Sequence, residues 1–232
     1  MSIISLSKLT WTLVHKIPRK IKGLSHHLQI PNLSVLVSRF LYEQKYPNSP
    51  IPIELVASED LPEHIGKIFV YPSALAVFQA PSDLSGTHSM RSERIHSIDK
   101  WWGGPARRDC VFIEHNAEHA GFRGLYVAQV EAFLKVVHER KSYPSALVSW
   151  FSTIGDTPCR DSGLWMVKRD LDRGKKVMSI IHLDSILRGV HLIGFPGKSF
   201  IPNDMRSTDS LNAFKSFFVN KYIDYHTHEI AW

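Results

Sequence analysis

From Asp109 to Ile193 the chain is a succession of short apolar runs parted by turn residues, and that pattern restricts it to a strand-rich fold. Residues 110–114 read as one strand. Residues 124–137 read as a long one, with Tyr126, Ala128, Val130 and Ala132 on one face, because strand side chains alternate. Residues 143–151 are the next, and Tyr143-Pro144 marks an edge-like start, since proline donates no ladder hydrogen bond. Gly155-Asp156-Thr157-Pro158 and Asp161-Ser162-Gly163 are turn signals. Strands at 164–168 and 177–182 are joined through Asp172-Arg173-Gly174-Lys175, and Asp184 caps one helical turn before a strand at 190–193. Several short strands with turns between them point to a small barrel.

The two ends read as helical. Ile17, Ile21, Leu24 and Leu28 recur at spacings of three and four within a helix over residues 3–29. Pro18 kinks or restarts it, and Pro31 ends it by forcing its predecessor into extended geometry. Asn32 looks like the N-cap of a second helix, whose stripe is Leu33, Leu36, Val37, Phe40 and Leu41. Residues 47–66, rich in proline and acids, read as an exposed connector. Residues 67–71 and 74–80 are strands, 81–86 a loop, and 90–98 a short basic helix or an ordered loop. A last helix takes Leu211, Phe214, Phe218, Tyr222 and Tyr225, capped by Asp209 or Ser210. The fold class is therefore α+β: an N-terminal helical hairpin, a small, strongly bent β-sheet or barrel, and a C-terminal helix. Three regions are expected, at 1–46, 47–108 and 109–232.

Apolar residues make up 44% and charged residues 22%, proportions that exclude wholesale disorder. The net charge is +6, and the excess is uneven. Residues 1–45 carry Lys8, Lys16, Arg19, Lys20, Lys22, Arg39 and Lys45 against one acid, Glu43. A basic end suits an acidic partner such as nucleic acid, and equally a solvated helix face. The first residues lack a basic segment ahead of a continuous apolar core, so no signal peptide is expected. No apolar run approaches the roughly 18 residues of a membrane span. Two cysteines, Cys110 and Cys159, do not make a disulfide framework.

Catalytic signatures are weak. His115-Asn116-Ala117-Glu118-His119 spells an inverted zinc-peptidase motif, in which His115 and His119 would hold zinc and Glu118 would activate water. It follows a strand and precedes two glycines, a poor scaffold for that site. His226-Thr227-His228-Glu229 reads as packing or surface. Gly194-Phe195-Pro196-Gly197-Lys198-Ser199 ends like a phosphate-binding loop but has Leu192 where the first glycine belongs. Burial quiets Cys110, Cys159 beside Arg160 has no identifiable base, and no three of Asp99, Asp109, Asp156, Asp161, Asp184 and Asp224 stand out as metal ligands. No cofactor or metal is implied.

Binding chemistry is better represented. Arg91, Arg94, Lys100, Arg107 and Arg108 surround Trp101 and Trp102, and guanidinium groups mixed with rings suit phosphate and base contacts. With Lys16, Arg19, Lys20 and Lys22 they form the candidate nucleic-acid-binding set. Trp150 and Trp165, with Tyr143 and Phe151, suit either a barrel core or a platform or methyl-lysine cage for a protein partner.

Whole phrases in fixed order carry a family resemblance from about Leu24 onward. Among them are Pro31-Asn32-Leu33, Arg39-Phe40-Leu41-Tyr42, Ala80-Pro81-Ser82-Asp83-Leu84-Ser85-Gly86, Trp101-Trp102-Gly103-Gly104-Pro105-Ala106-Arg107, Tyr143-Pro144-Ser145-Ala146-Leu147-Val148-Ser149-Trp150-Phe151 and Phe218-Val219-Asn220-Lys221-Tyr222. They resemble the C-terminal, non-catalytic region of Plavaka-type transposases, CACTA-related mobile elements of fungi. The resemblance implies a nuclear, DNA-associated protein with no catalytic residue, the acidic core of the family lying upstream. The chain would then be a truncated element, a split gene product or a host-retained fragment. It departs from the family in being basic at Arg160 and over Asp170-Leu171-Asp172-Arg173-Gly174-Lys175-Lys176. The strand region is also similar, at fold level alone, to a bromo-adjacent-homology or SH3-like barrel, which implies a chromatin or peptide reader. The expected function is a non-catalytic accessory region that binds DNA or a protein partner such as the transposase core. A reader module using Trp150 and Trp165 is the alternative, and a zinc-dependent hydrolase on His115, Glu118 and His119 the third reading. No membrane or small-molecule partner is expected.

Overall fold

The computed structural model describes residues 8–9, 17–80, 90–115, 119, 121–197, 201, 203–206 and 209–231. In chain order it contains β1 (Lys8–Leu9), α1 (Ile21–Leu28), α2 (Leu33–Lys45), β2 (Ile68–Tyr71), β3 (Ser73–Gln79) and β4 (Met90–Ile98). Next come β5 (Arg107–Arg108), β6 (Cys110–Glu114), β7 (Leu125–His138), β8 (Lys141–Thr153) and β9 (Met166–Arg169). The remainder is β10 (Leu171–Asp172), β11 (Lys175–Lys176), β12 (Met178–His182), β13 (Ile186–Val190), β14 (Leu192–Phe195), α3 (Ser210–Ala213), β15 (Ser216–Val219) and α4 (Tyr225–Ala231). The class is α+β, dominated by antiparallel strands. Among the described residues no helix is long and apolar enough to cross a membrane.

The β7–β8 hairpin is the spine. It pairs from Val127 opposite Phe151 to His138 opposite Lys141. Its two-residue turn, Glu139-Arg140, has both residues at positive φ (48° and 68°), the combination a type I′ turn requires. One residue, Glu131, is extra: Val130 faces Val148 and Ala132 faces Leu147. Such a bulge reverses the parity of the strand beyond it. Leu125, Val127 and Gln129 therefore share a face with Ala132, Leu134 and Val136. The expectation that Ala132 continues the face of Tyr126, Ala128 and Val130 fails here. Ala128 and Val130 lie in one core and Ala132 in another.

The bulge divides the sheet. On one side of it, β6 lines β7 and β9 lines β8. On the other, β2 takes over the edge of β7 and β12 the edge of β8. The main hydrogen-bonded path runs β13-β6-β7-β8-β9-β15-β14. Of the two expected forms, a strongly bent sheet or a barrel, the barrel is not closed: among the described residues no ladder joins β13 to β14. These edges are consecutive in the chain, parted by His191, so the sheet curls around a core of Phe112, Val127, Phe151, Trp165 and Phe217. A second core lies between the helical hairpin α1–α2 and the far half of the spine. A third packs β3 and β4 over the opposite face. The three regions expected from sequence thus share their cores.

The helix α2 matches its predicted stripe, with Leu33, Leu36, Val37, Phe40 and Leu41 all buried. Asn32 occupies the N-cap position without a side-chain cap bond. A cap contributes about 1 kcal/mol, and each fully buried Leu or Phe about 1.5–3 kcal/mol, so packing holds this helix. The long helix expected over 3–29 is replaced by β1, which pairs with β3, and by α1, which starts only after Pro18. Gln29 in the left-handed region (φ 57°) ends α1. Residues 1–7, 10–16 and 81–89 lie outside the described residues. Residues 90–98 are neither helix nor loop: β4 pairs with β3 at seven positions. The turn at Leu183–Ser185 is capped by His182, whose Nδ1 accepts the Asp184 N–H at 3.3 Å, and not by Asp184.

The last helix is also corrected. Ser216–Val219 is a strand held on both edges, by β9 and by β14. Phe217 and Val219 are fully buried while Phe218 turns outward against Phe195, 5.2 Å between ring centroids. Alternation of period two has overridden a fortuitous three-and-four spacing. Asp209 stands at the N-cap position of the short α3, and a separate helix, α4, closes the chain.

Deleting Glu131 removes the parity change and drives Ala132, Leu134 and Val136 to the wrong face. The deletion variant is expected to lose its cooperative thermal transition, whereas Glu131→Gln retains one. Differential scanning calorimetry on both proteins checks this; a cooperative transition in the deletion variant would contradict the reading.

Candidate functional site

Between two of the cores, one face of the spine is polar. On β7, Val127 and Ala132 flank Gln129 and Glu131; on β8, Leu147 and Phe151 flank Ser149. Gln129 is 7% exposed and Ser149 fully buried, so their polar atoms must be bonded within the protein. They are. Ser149 Oγ donates to Glu131 Oε1 at 2.8 Å and accepts from Arg169 Nη1 at 3.0 Å. Gln129 Nε2 donates to the Arg108 carbonyl at 3.2 Å, and its Oε1 accepts from Arg169 Nη2 at 2.9 Å. Lys176 Nζ meets Glu131 Oε1 at 2.7 Å, and Arg108 Nε stands 3.5 Å from Oε2.

This layer is the floor of a cavity of about 550 Å³. Trp101, Arg107, Arg108 and Lys176 line it, with α3 on one side. Arg108 and Lys176 meet the carboxylate of Glu131, Asp99 pairs with Arg108 at 2.6 Å from a mostly exposed position, and Arg169 is bonded instead to the neutral oxygens of Ser149 and Gln129. Arg169 lies behind the lining, 4.5 Å over the Phe151 ring, and burial pulls its pKa down, the direction of a cation short of countercharge. The charge of Glu131 opposes that shift without overcoming it.

The loop from β4 to β5 forms the lip. Gly104 N–H donates to the Trp101 carbonyl at 2.8 Å, and the central pair Trp102-Gly103 has positive φ at both positions (51° and 76°). Glycine adopts this freely, but a tryptophan in the left-handed region costs about 1–2 kcal/mol. The strained Trp102 is 89% exposed. Trp101 behind it is held by Arg107, 4.7 Å over its ring, and by His96 at 4.4 Å. Arg107 is itself fixed by two bonds to Asp109, at 2.8 and 3.1 Å. Burial, then the charge of Arg107, lowers the pKa of His96.

Of the residues expected to bind nucleic acid, Trp101, Trp102, Arg107 and Arg108 are brought together here. Arg94 is exposed on β4, where it donates to Ser73 Oγ at 3.4 Å, and Arg91 is exposed on the same strand. Arg19, Lys20 and Lys22 stand elsewhere, around the start of α1, with Arg19 5.0 Å over Phe69. Lys16 lies outside the described residues. Gln129, Glu131, Ser149, Arg169 and Lys176 were missed. Their signal was polar residues interrupting apolar strands, and a basic departure at 170–176. Trp150 is half-buried, and Trp165 is core, stacked on Phe122 at 5.0 Å.

The catalytic candidates are scattered. Burial pushes the Cys110 thiol up to about 12, and the hydrogen bonds of Ser162, then Asp161, pull the half-buried Cys159 down. Both cysteines are free. The His115 ring stacks on Tyr126 at 4.2 Å, and Glu118 lies outside the described residues. Among the described residues no three of His, Cys, Asp and Glu group to hold a metal. Of the phosphate-loop lookalike, Gly194 and Phe195 are in β14, and Lys198-Ser199 lie outside the described residues.

A second charged cluster anchors the chain end beside the cavity. Arg188 of β13 makes a fork to Asp224, at 2.9 and 2.6 Å, touches His226 Nδ1 at 3.1 Å, and lies 4.8 Å over Phe78. Asp224 also accepts the Thr227 N–H at 2.7 Å, capping α4. Burial alone would raise the Asp224 carboxyl, but the Arg188 and Thr227 hydrogen bonds together outweigh it and hold the pKa at about 2. Burial, then the Arg188 charge, lowers His226 to about 4.

No known family model matches the chain, and comparison with curated proteins and with solved structures finds no match.

Acid should loosen this anchor. The unfolded chain protonates His226 near its usual 6.5, so the stability it confers is complete above that pH and is lost as pH falls towards 4. The contribution of Asp224 is complete above its usual value near 3.8 and is lost as pH falls through about 2. His226→Gln is expected to flatten the fall in melting temperature between pH 6.5 and 4, a difference on the order of 1 kcal/mol after solvent screening. Parallel thermal melts of both proteins across that range check it; identical slopes would contradict it.

Proposed function

We propose that the chain is a non-catalytic binding region of a transposon-derived protein, and that it holds DNA, most tightly where strands are unpaired, across the cation-floored cavity and its tryptophan lip. One observation carries the reading: Trp102, 89% exposed and kept in a costly backbone conformation, stands next to a cavity lined by Arg107, Arg108 and Lys176, with Arg169 bonded behind its floor. Strain of that kind persists where function needs it. An exposed ring offers a stacking face to any base, and the cations beside it follow the phosphates, the combination used by single-strand binders. The choice of DNA, and a nuclear location, rest on the resemblance to Plavaka-type transposases. That resemblance supplies no catalytic residue.

Binding to single-stranded and duplex oligonucleotides across a salt series tests this. Affinity should fall with salt, with a slope of about −0.7 per phosphate neutralised on a single strand. Trp102→Ala should cost about 1–3 kcal/mol of single-strand affinity and leave the salt slope unchanged. Lys176→Gln should lower the slope by about 0.7. No binding at low salt, or a Trp102→Ala protein that binds as tightly as the parent, would reject the proposal.

A further inference from the structure

Where β7 begins and β8 ends, Tyr126, Trp150, Ser152 and the residue just after β9 border a second cavity of about 340 Å³, which also reaches apolar core residues such as Val127 and Phe151. Its walls include Tyr126, Trp150 and Asp170. The two rings meet nearly at right angles, 75° with centroids 5.7 Å apart. Each is held from outside the cavity. The Trp150 indole N–H donates to Ser179 Oγ at 2.7 Å, and Tyr126 stacks on the His115 ring at 4.2 Å. Asp170 is fixed too: its N–H donates to the Trp150 carbonyl at 3.0 Å, and its Oδ1 accepts the Ser152 N–H at 3.1 Å. Tyr126, Ser152 and Thr153 are exposed, so the cavity opens to solvent. The expected partner of Trp150, Trp165, is no part of this lining; Tyr126 and Asp170 occupy the role it was given.

Two π faces at an angle with a carboxylate between sheet strands attract a cation and offer nothing to an anion. A simple ammonium must shed tightly held water to enter, whereas a methylated ammonium is larger, less hydrated and presents C–H bonds to the rings. We propose that this cavity receives a methylated lysine side chain of a partner polypeptide, with Tyr126 and Trp150 as walls and Asp170 as the counter-ion. The half-open shape admits a side chain while the peptide backbone stays on the sheet surface. Lys168 is the cation to reckon with: it pairs with Ser152 in register on the same face, but it is exposed and outside the lining. The proposal does not depend on DNA binding at the other face.

Calorimetric titration of the whole chain tests it with three probes: a short uncharged peptide carrying one Nε-trimethyllysine, the same peptide with unmodified lysine, and choline. The trimethylated peptide is expected to bind about tenfold more tightly than the unmodified one. Asp170→Asn and Tyr126→Ala should each remove most of that preference with an unchanged circular dichroism spectrum, while Tyr126→Phe, which keeps the ring, retains it. Trp102→Ala should have no effect. Equal affinity for the two peptides, or no binding of either, would overturn the proposal, and choline binding as tightly as the trimethylated peptide would overturn the assignment to lysine.

Discussion

The extra residue at Glu131 is the constraint on which the rest of the molecule depends. Without it β7 would present one alternating set of side chains to each face for its whole length. With it, Leu125 and Val127 can enter one core, and Leu134 and Val136 another, on the same side of the sheet. Between these sets lies the polar stretch of Gln129, Glu131 and Ser149. The bulge is locked in both directions. Its carbonyl accepts from Ser97 Oγ of β4 at 2.7 Å, and its carboxylate accepts from Ser149 and Lys176. One residue thus ties the spine to the lip-bearing hairpin on one side and to the loop that enters β12 on the other.

A buried polar layer between two apolar cores is a costly arrangement, tolerable only when every member is bonded. Gln129, Ser149 and Arg169 meet that condition through one another and through Glu131 and the carbonyls of Arg108 and Leu211, which fixes the floor without any ligand. At the rim Arg107 pairs with Asp109, Arg108 with Asp99 and Lys176 with Glu131. Glu131 serves Lys176 fully and Arg108 at longer range, and Arg169 is bonded to neutral oxygens of Ser149, Gln129 and Leu211. Apolar residues of similar volume would stabilise the fold at least as well. Arg169 is the cation that this pairing leaves over, and on the proposed reading it adds to the pull of the floor on an anion.

Much of the strand pattern was legible because period-two alternation is a strong signal, and β6, β7, β8 and α2 lie close to their expected limits. The misses share a physical cause. The Glu139-Arg140 turn lacks the glycine or asparagine that announces a type I′ hairpin, so the two long strands do not declare their pairing. A bulge has no composition of its own, which is why Ala132 was placed on the wrong face. Near the end, Phe214, Phe218 and Tyr222 happen to repeat at helical spacing, and only pairing with β9 and β14 decides for a strand. Within the site, Trp101, Trp102, Arg107 and Arg108 were visible because they are adjacent in sequence. Lys176 lines the same cavity and Arg169 backs it from a different strand, and nothing local marks them.

The chain end bears on the cavity through two different physical links. Arg169 donates to the Leu211 carbonyl at 3.2 Å, and Ser210 and Leu211 of α3 line both the cavity and the adjoining cleft beside Arg188. Beyond α3, β15 is paired on both edges, and α4 is tied by Asp224 to Arg188 of β13, which Glu93 of β4 approaches at 3.5 Å. Arg169 stands behind the lining, so it holds this wall without facing the cavity. The strand pairing and the Arg188 fork fix the chain that follows α3. The wall of the cavity is therefore set from two directions, from the floor through the Leu211 carbonyl and from the chain end through β15 and α4.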